Sequence, residues 1–160
     1  MRLVIQRVRR ASVRVGDELV GEIGPGAFVL VGVSRADTPD LAAKMADKLL
    51  GLRYFQDAAS RTNLDLHAIG GELLVVSQFT LYANLRRGRR PGFSDAALPD
   101  RAEPIVDRFI GRLREGGAEV ATGRFGAAMA VDLVNDGPFT LILDSERDVG
   151  PDQGAAAPVA

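Results

Sequence analysis

The sequence predicts an α+β domain built from mostly antiparallel strands and two main α-helices. Three observations carry this reading. The first third is a series of short apolar runs broken by glycine turns, two later stretches repeat apolar residues at helical spacing, and three further apolar runs close the chain. With 160 residues, 46% of them hydrophobic, the chain can bury one sizeable core. Residues 1–144 are read as that single domain. Residues 145–160, dominated by Gly, Ala, Pro and Asp, are expected to form a disordered tail.

Taken in order, Leu3, Val4, Ile5 and Val8 predict a strand over 2–8. Val13 and Val15, alternating with Ser12 and Arg14, predict another over 11–15. Gly16, Asp17 and Glu18 turn the chain into 19–23, and Gly24, Pro25 and Gly26 turn it into a strongly apolar strand over 27–33. Thr38 can cap a helix, Pro39 suits its first position and Gly51 can stop it. Leu41, Met45, Leu49 and Leu52 fall on one face, which is read as core. A brief strand at 53–55 and a polar loop over 57–68 follow; His67, alone in that loop, is assigned no role. Leu73 to Val76 suit a strand buried on both faces, and residues 83–98 an ordered loop. A second helix is expected near Asp100, which with Glu103 has capping-box spacing. Ile105, Val106, Phe109, Ile110 and Leu113 would be its buried face, with Gly116 and Gly117 ending it. Strands over 119–122, 129–134 and 139–143 close the domain, the last two joined by a turn at Gly137 and Pro138.

Composition narrows the chemistry. No run of 18 apolar residues exists, so no membrane span is expected, and the first residues lack a signal peptide's apolar segment. The cytoplasm is the expected compartment. Zero cysteines and one histidine leave no thiol nucleophile, no Ser-His-Asp triad and no thiolate or multi-histidine metal site, so neither metal nor cofactor is expected. A net charge of −1 makes the chain no polyelectrolyte binder overall, and DNA is not an expected partner. The charge is uneven, however. Arg7, Arg9, Arg10 and Arg14 crowd the start, and Arg86, Arg87, Arg89 and Arg90 form a second cluster, which is either a phosphate-contact surface or simply solvated.

The stretch most suggestive of chemistry follows the buried run: Ser77, Gln78, Phe79, Thr80, Leu81 and Tyr82. Buried hydroxyls and amides need partners. These polar residues therefore either tie down backbone at a strand end or form the lip of a pocket. Together with Asn135, Asp136, Gly137, Pro138 and Thr140, this stretch resembles the D-aminoacyl-tRNA deacylase family. The likeness extends through Ile5 to Val8, Ala11 to Val13, Pro99 to Glu103 and Thr122 to Phe125, covering about residues 1–144. Asn84 stands where the family pattern has an acidic residue, Gly92 where Ser or Asp is common, and Phe139 where Val is usual; only Phe139, beside the Gly-Pro pair, bears on pocket shape.

The resemblance implies layered, barrel-like sheets with both helices packed on one side. It implies a homodimer that hydrolyses the ester between D-amino acids, or mischarged glycine, and tRNA. By carry-over, Ser77, Gln78, Phe79 and Thr80 are the candidate catalytic residues; Gly137, Pro138, Arg7, Met129 and Ala102 are the candidate substrate-binding residues. Gly137 and Pro138 are expected to be joined by a cis bond, inserted from the partner subunit so that their carbonyls hold the substrate's amino group. Arg7 would lock that segment, or else be an ordinary surface arginine; Met129 and Ala102 would line the pocket, or else be plain core. With no histidine base, water attack is favoured, with the Phe79 and Thr80 amides stabilising the oxyanion and Thr80 acting as nucleophile or positioning the water. Two other readings compete: a non-catalytic tRNA- or ribosome-binding module using the arginines, and a small-molecule esterase.

Overall fold

The computed structural model describes residues 1–86 and 88–149. Its main sheet is organised on β1 (Arg2–Val15), which pairs antiparallel with β2 (Glu18–Ile23), β3 (Gly26–Gly32) and β8 (Ala130–Asp144). β3 runs parallel to β6 (Glu72–Ser77), and β6 parallel to β7 (Glu119–Thr122), so the sheet is mixed. A small hairpin, β4 (Phe55–Gln56) with β5 (Thr62–Leu64), stands apart.

Two helices, α1 (Pro39–Gly51) and α2 (Pro99–Glu115), pack on one face of the sheet. There Met45, Leu49, Phe109 and Leu113 bury against Leu3, Ile5, Val29 and Val75. The other face curls round a second core of Val8, Val13, Ile23, Phe28, Leu74 and Val76. Val20 of β2 and Ala121 of β7 both pack onto that core, so the sheet is a nearly closed barrel. β3 and β6 are covered on both faces, which is why Ala27 to Val29 and Leu73 to Val76 read as continuous apolar runs.

The structure departs from the sequence reading at five places, one of them the expected polar loop over 57–68, which holds β5. β1 is one strand rather than two: ladder bonds are indifferent to side-chain polarity, and Arg9 and Arg10 reach across to Asp136 and Asp132 of β8. β8 is likewise continuous, with the Gly-Pro pair inside it rather than at a turn between strands. α2 begins at Pro99, with Leu98 as its cap residue and no side-chain cap; proline's fixed φ suits that first position. Thr38 caps α1 as expected, accepting from the Leu41 amide. The tail reading also changes, because Ser145–Asp148 form a short helix, α3. Ser145 is buried, and its hydroxyl and Asp37 each accept from the Met1 amine at 2.6 Å. Residues 150–160 lie outside the described residues.

Met45 is fully buried between α1 and the sheet. Met45→Ala should cost about 2–4 kcal/mol from lost burial plus the cavity left behind. The check is a lower urea midpoint at unchanged slope; an unshifted midpoint would contradict this packing.

Candidate active site

β6 stops where its neighbour does. The Ser77–Val31 pair closes the parallel ladder, and the next amide, that of Gln78, donates to the Val31 carbonyl at 2.7 Å. The chain then folds into a 3-10 turn, Phe79–Tyr82, seated directly on β3. Gly32 permits that seating: a Cβ there would lie 2.9 Å from Leu81 Cβ and 3.2 Å from the Gln78 carbonyl oxygen. Arg2 holds the far end of the turn, donating to the Leu81 carbonyl at 2.8 Å while paired with Asp144.

Phe79 and Thr80 are the first residues of this turn, so their amides have no partner within it. Both residues are exposed. The Gln78 side-chain amide donates to the Thr80 hydroxyl oxygen, which leaves the hydroxyl proton available to an outside acceptor. Such a hydroxyl is suited to hold or polarise a ligand rather than to take its proton.

Ser77, Gln78 and Phe79 form one wall of a cavity of about 630 Å³. Ala102 and Val106 of α2, together with Phe125 and Met129, also line it. At the rim Phe93 meets Phe79 edge-on, with ring centroids 5.0 Å apart. Among the described residues lining the cavity, Arg35 is the one that carries charge, and none is a carboxylate or an imidazole. Ser77, Gln78, Phe79, Ala102 and Met129 are therefore brought together, with Thr80 bound to Gln78 at the edge. Phe93, Phe125 and Arg35 also line it without having been singled out as site residues. Phe93 carried one visible signal, a lone aromatic in an arginine- and glycine-rich loop.

Gly137, Pro138 and Arg7 lie elsewhere. β8 opposes Val8 with Asn135 and Gln6 with Thr140, so residues 136–139 bulge out opposite Arg7 alone. The Gly137–Pro138 bond is cis. Asn135 braces the bulge, its side-chain Oδ1 accepting from the Phe139 amide at 2.7 Å and its Nδ2 donating to the Thr140 hydroxyl at 3.2 Å. Arg7 is 6% exposed, so it is no surface arginine. Its guanidinium donates to the Asp136 and Tyr54 carbonyls at 3.0 and 2.9 Å and lies 4.7 Å from the centre of the Phe139 ring. Phe139 thus gives the guanidinium an aromatic face. Gly137 has φ of +139°, and a Cβ there would lie 2.9 Å from the Phe139 amide and 3.1 Å from Arg7 Nη2. Gly137 and Pro138 are both exposed, and neither lines the 630 Å³ cavity of their own chain.

The arginine loop is separate again. Arg86 and Arg90, with Asn84, Gly92 and Ser94, line a cavity of about 400 Å³; Arg89 is exposed and does not. Arg87 lies outside the described residues. No helix among the described residues is long and apolar enough to cross a membrane.

The family model described as D-Tyr-tRNA(Tyr) deacylase matches residues 4–144. A D-aminoacyl-tRNA deacylase of Roseiflexus sp. (strain RS-1) is 59% identical over 145 residues, spanning 91% of this chain and 94% of that one. The protein of the same name from Symbiobacterium thermophilum is 54% identical over 147 residues, spanning 92% and 97%. Among solved structures, the c-Myc DNA Unwinding Element Binding Protein superposes with a TM-score of 0.85 at 39% identity, covering 91% of this chain and 99% of its own. A probable eukaryotic D-amino acid tRNA deacylase does so at 0.75 and 20% identity, a likeness of fold, over 89% and 97%.

Removing the Arg7 side chain would take a donor from the buried Tyr54 carbonyl and the part-buried Asp136 carbonyl. Arg7→Ala should therefore destabilise by about 2–4 kcal/mol, with Arg7→Lys retaining part of the loss. Thermal unfolding checks this, and a native melting temperature in the alanine variant would contradict the bracing role. From the matched span, the identity and the shared fold, this chain belongs to the D-Tyr-tRNA(Tyr) deacylase family.

Proposed function

We propose that this chain hydrolyses the ester joining a D-amino acid, or mischarged glycine, to the 3′ end of tRNA, and spares L-aminoacyl-tRNA. The observation that carries the reading is the cavity walled by Ser77, Gln78 and Phe79, with no carboxylate or imidazole among its described lining residues, next to a turn whose first two amides have no partner within it and whose Thr80 hydroxyl is held by Gln78. Aminoacyl esters are labile, so a site that stabilises charge without a histidine is chemically sufficient. Water attacks the ester carbonyl, and the Phe79 and Thr80 amides receive the developing oxyanion. As the carbonyl re-forms, the acyl C–O bond to the ribose breaks and the proton lost by the water passes to the leaving ribose oxygen. Thr80 directs its proton to a substrate oxygen, and the tRNA's own 2′-hydroxyl assists in activating the water.

Handedness is assigned to main chain from a second copy. Gly137 and Pro138 stand exposed on an arginine-braced bulge, a rigid projection without a cavity of its own to fill. In a homodimer their carbonyls enter the partner's cavity and hold the substrate's α-ammonium. An L side chain is then driven into fixed backbone and rejected by clash, while a D side chain or glycine is not. Selection by main chain leaves the side chain unread, so many D-amino acids are substrates. The sheet surface beside the bulge supports a self-association face, since Val4 stands in register with both Leu30 and the exposed Ile142. Arg86, Arg89 and Arg90 supply positive charge for the tRNA strand.

The test incubates the protein with D-Tyr-tRNA and L-Tyr-tRNA and follows release of each amino acid. Loss of the D-ester alone is expected. Cleavage of neither would favour a tRNA-binding module, and equal cleavage of both would defeat the chiral pocket. Thr80→Ala should lower kcat by about 10–1,000-fold with little change in KM; a native rate would transfer the burden to the amides.

A further inference from the structure

The arginine cavity and the reaction cavity are adjacent along the chain. Gly92 and Ser94 line the first, and Phe93 between them lines the second, where its ring meets Phe79. The loop carrying the arginines is clamped at its base. The Asn84 amide donates to the Gly92 carbonyl at 2.7 Å, and the Gly92 amide to the Asn84 carbonyl at 3.0 Å. The Asn84 side-chain oxygen also accepts from the Arg86 amide at 3.0 Å, which fixes the start of the loop.

The charge in that cavity is uncompensated. No acidic residue lines it, and among the described residues neither Arg86 nor Arg90 has an ion-pair partner. Arg14, Arg35, Arg53, Arg89, Arg101 and Arg114 have none there either, so what sets Arg86 and Arg90 apart is that both line one cavity. Two guanidiniums facing one space suit a phosphodiester, a planar-fork match to a permanent monoanion. The exposed rings beside it, Phe79 at 57% and Phe93 at 39%, offer apolar surface for an unstacked base.

The geometry points to Arg86 and Arg90 as the grip on one particular phosphodiester, the one linking the esterified terminal nucleotide to its 5′ neighbour, with Phe93 as the spacer between phosphate and ester. This rests on the deacylase reading above and specifies which part of the substrate the loop holds. The cluster then acts as a ruler for the single-stranded 3′ end rather than as diffuse positive surface. Arg89, outside the cavity, contributes only to the general field.

Two small substrates isolate the contact: the D-tyrosyl ester of adenosine, with no phosphate, and that of the dinucleotide CpA, with one phosphodiester. In the native protein kcat/KM for the CpA ester should exceed that for the adenosine ester by about tenfold or more in low salt. In the Arg86→Gln, Arg90→Gln double variant that ratio should fall to within about twofold of unity. The native advantage should also shrink between about 50 and 200 mM salt, with a log–log slope near −0.7, and the variant's should be flat. A native ratio near one, or a variant ratio equal to the native, overturns this proposal. Inorganic phosphate competing as well as CpA would also overturn it, by marking a generic anion hole. A native protein that cleaves neither ester, nor D-Tyr-tRNA, overturns the deacylase reading instead.

Discussion

The Arg7 guanidinium sets the shape of the molecule's most unusual edge. It rises from the middle of β1, is almost fully buried, and donates to carbonyls of two segments distant in sequence, Tyr54 and Asp136. Because it occupies the space opposite β8, the strand must carry residues 136–139 around it before the ladder resumes at Thr140. Burying a cation is tolerable only when it is well bonded; here the bonds run to backbone, and the ring of Phe139 lies against the charge. The result is a main-chain projection held from behind, with Asn135 closing it from within.

The turn after β6 answers a different constraint. A strand that ends against β3 can fold back only if its neighbour leaves room, and Gly32 leaves it. The same fold-back leaves the first two amides of the turn without partners inside it and lets Gln78 hold the Thr80 hydroxyl. Preorganised donors of this kind need no reorganisation as charge develops, so a cavity without acid or base can still carry ester chemistry. The two features lie apart in one chain, and the proposed function requires a second chain to join them.

Local patterns in the sequence were good guides wherever one rule governed. The helical faces of Met45 and Leu49, and of Phe109 and Leu113, follow from period, and the Thr38 cap from its hydroxyl. The rules failed where tertiary pairing outranked them. Arg9 and Arg10 look like a break between strands, yet β1 runs through them because their partners on β8 are over 120 residues away. Gly137 and Pro138 read as a turn by composition, whereas their place inside β8 depends on Arg7, which no local window connects to them. Ser77 to Thr80 announced themselves by polarity after a buried run. Phe125 did not, and Phe93 stood out only as a lone aromatic in its loop, because a single aromatic in a loop has no period to reveal what it faces.

If a second copy supplies the chiral filter, the two halves of each site belong to different subunits, and this can be tested by mixing. Thr80→Ala damages the turn and Gly137→Ala the projection, so each pure homodimer has two defective sites. A mixed dimer has one site with both halves native. Co-refolding equal amounts of the two inactive variants should restore about a quarter of native D-Tyr-tRNA hydrolysis, given random pairing. No recovery from a sample shown to contain mixed dimers would contradict the shared site.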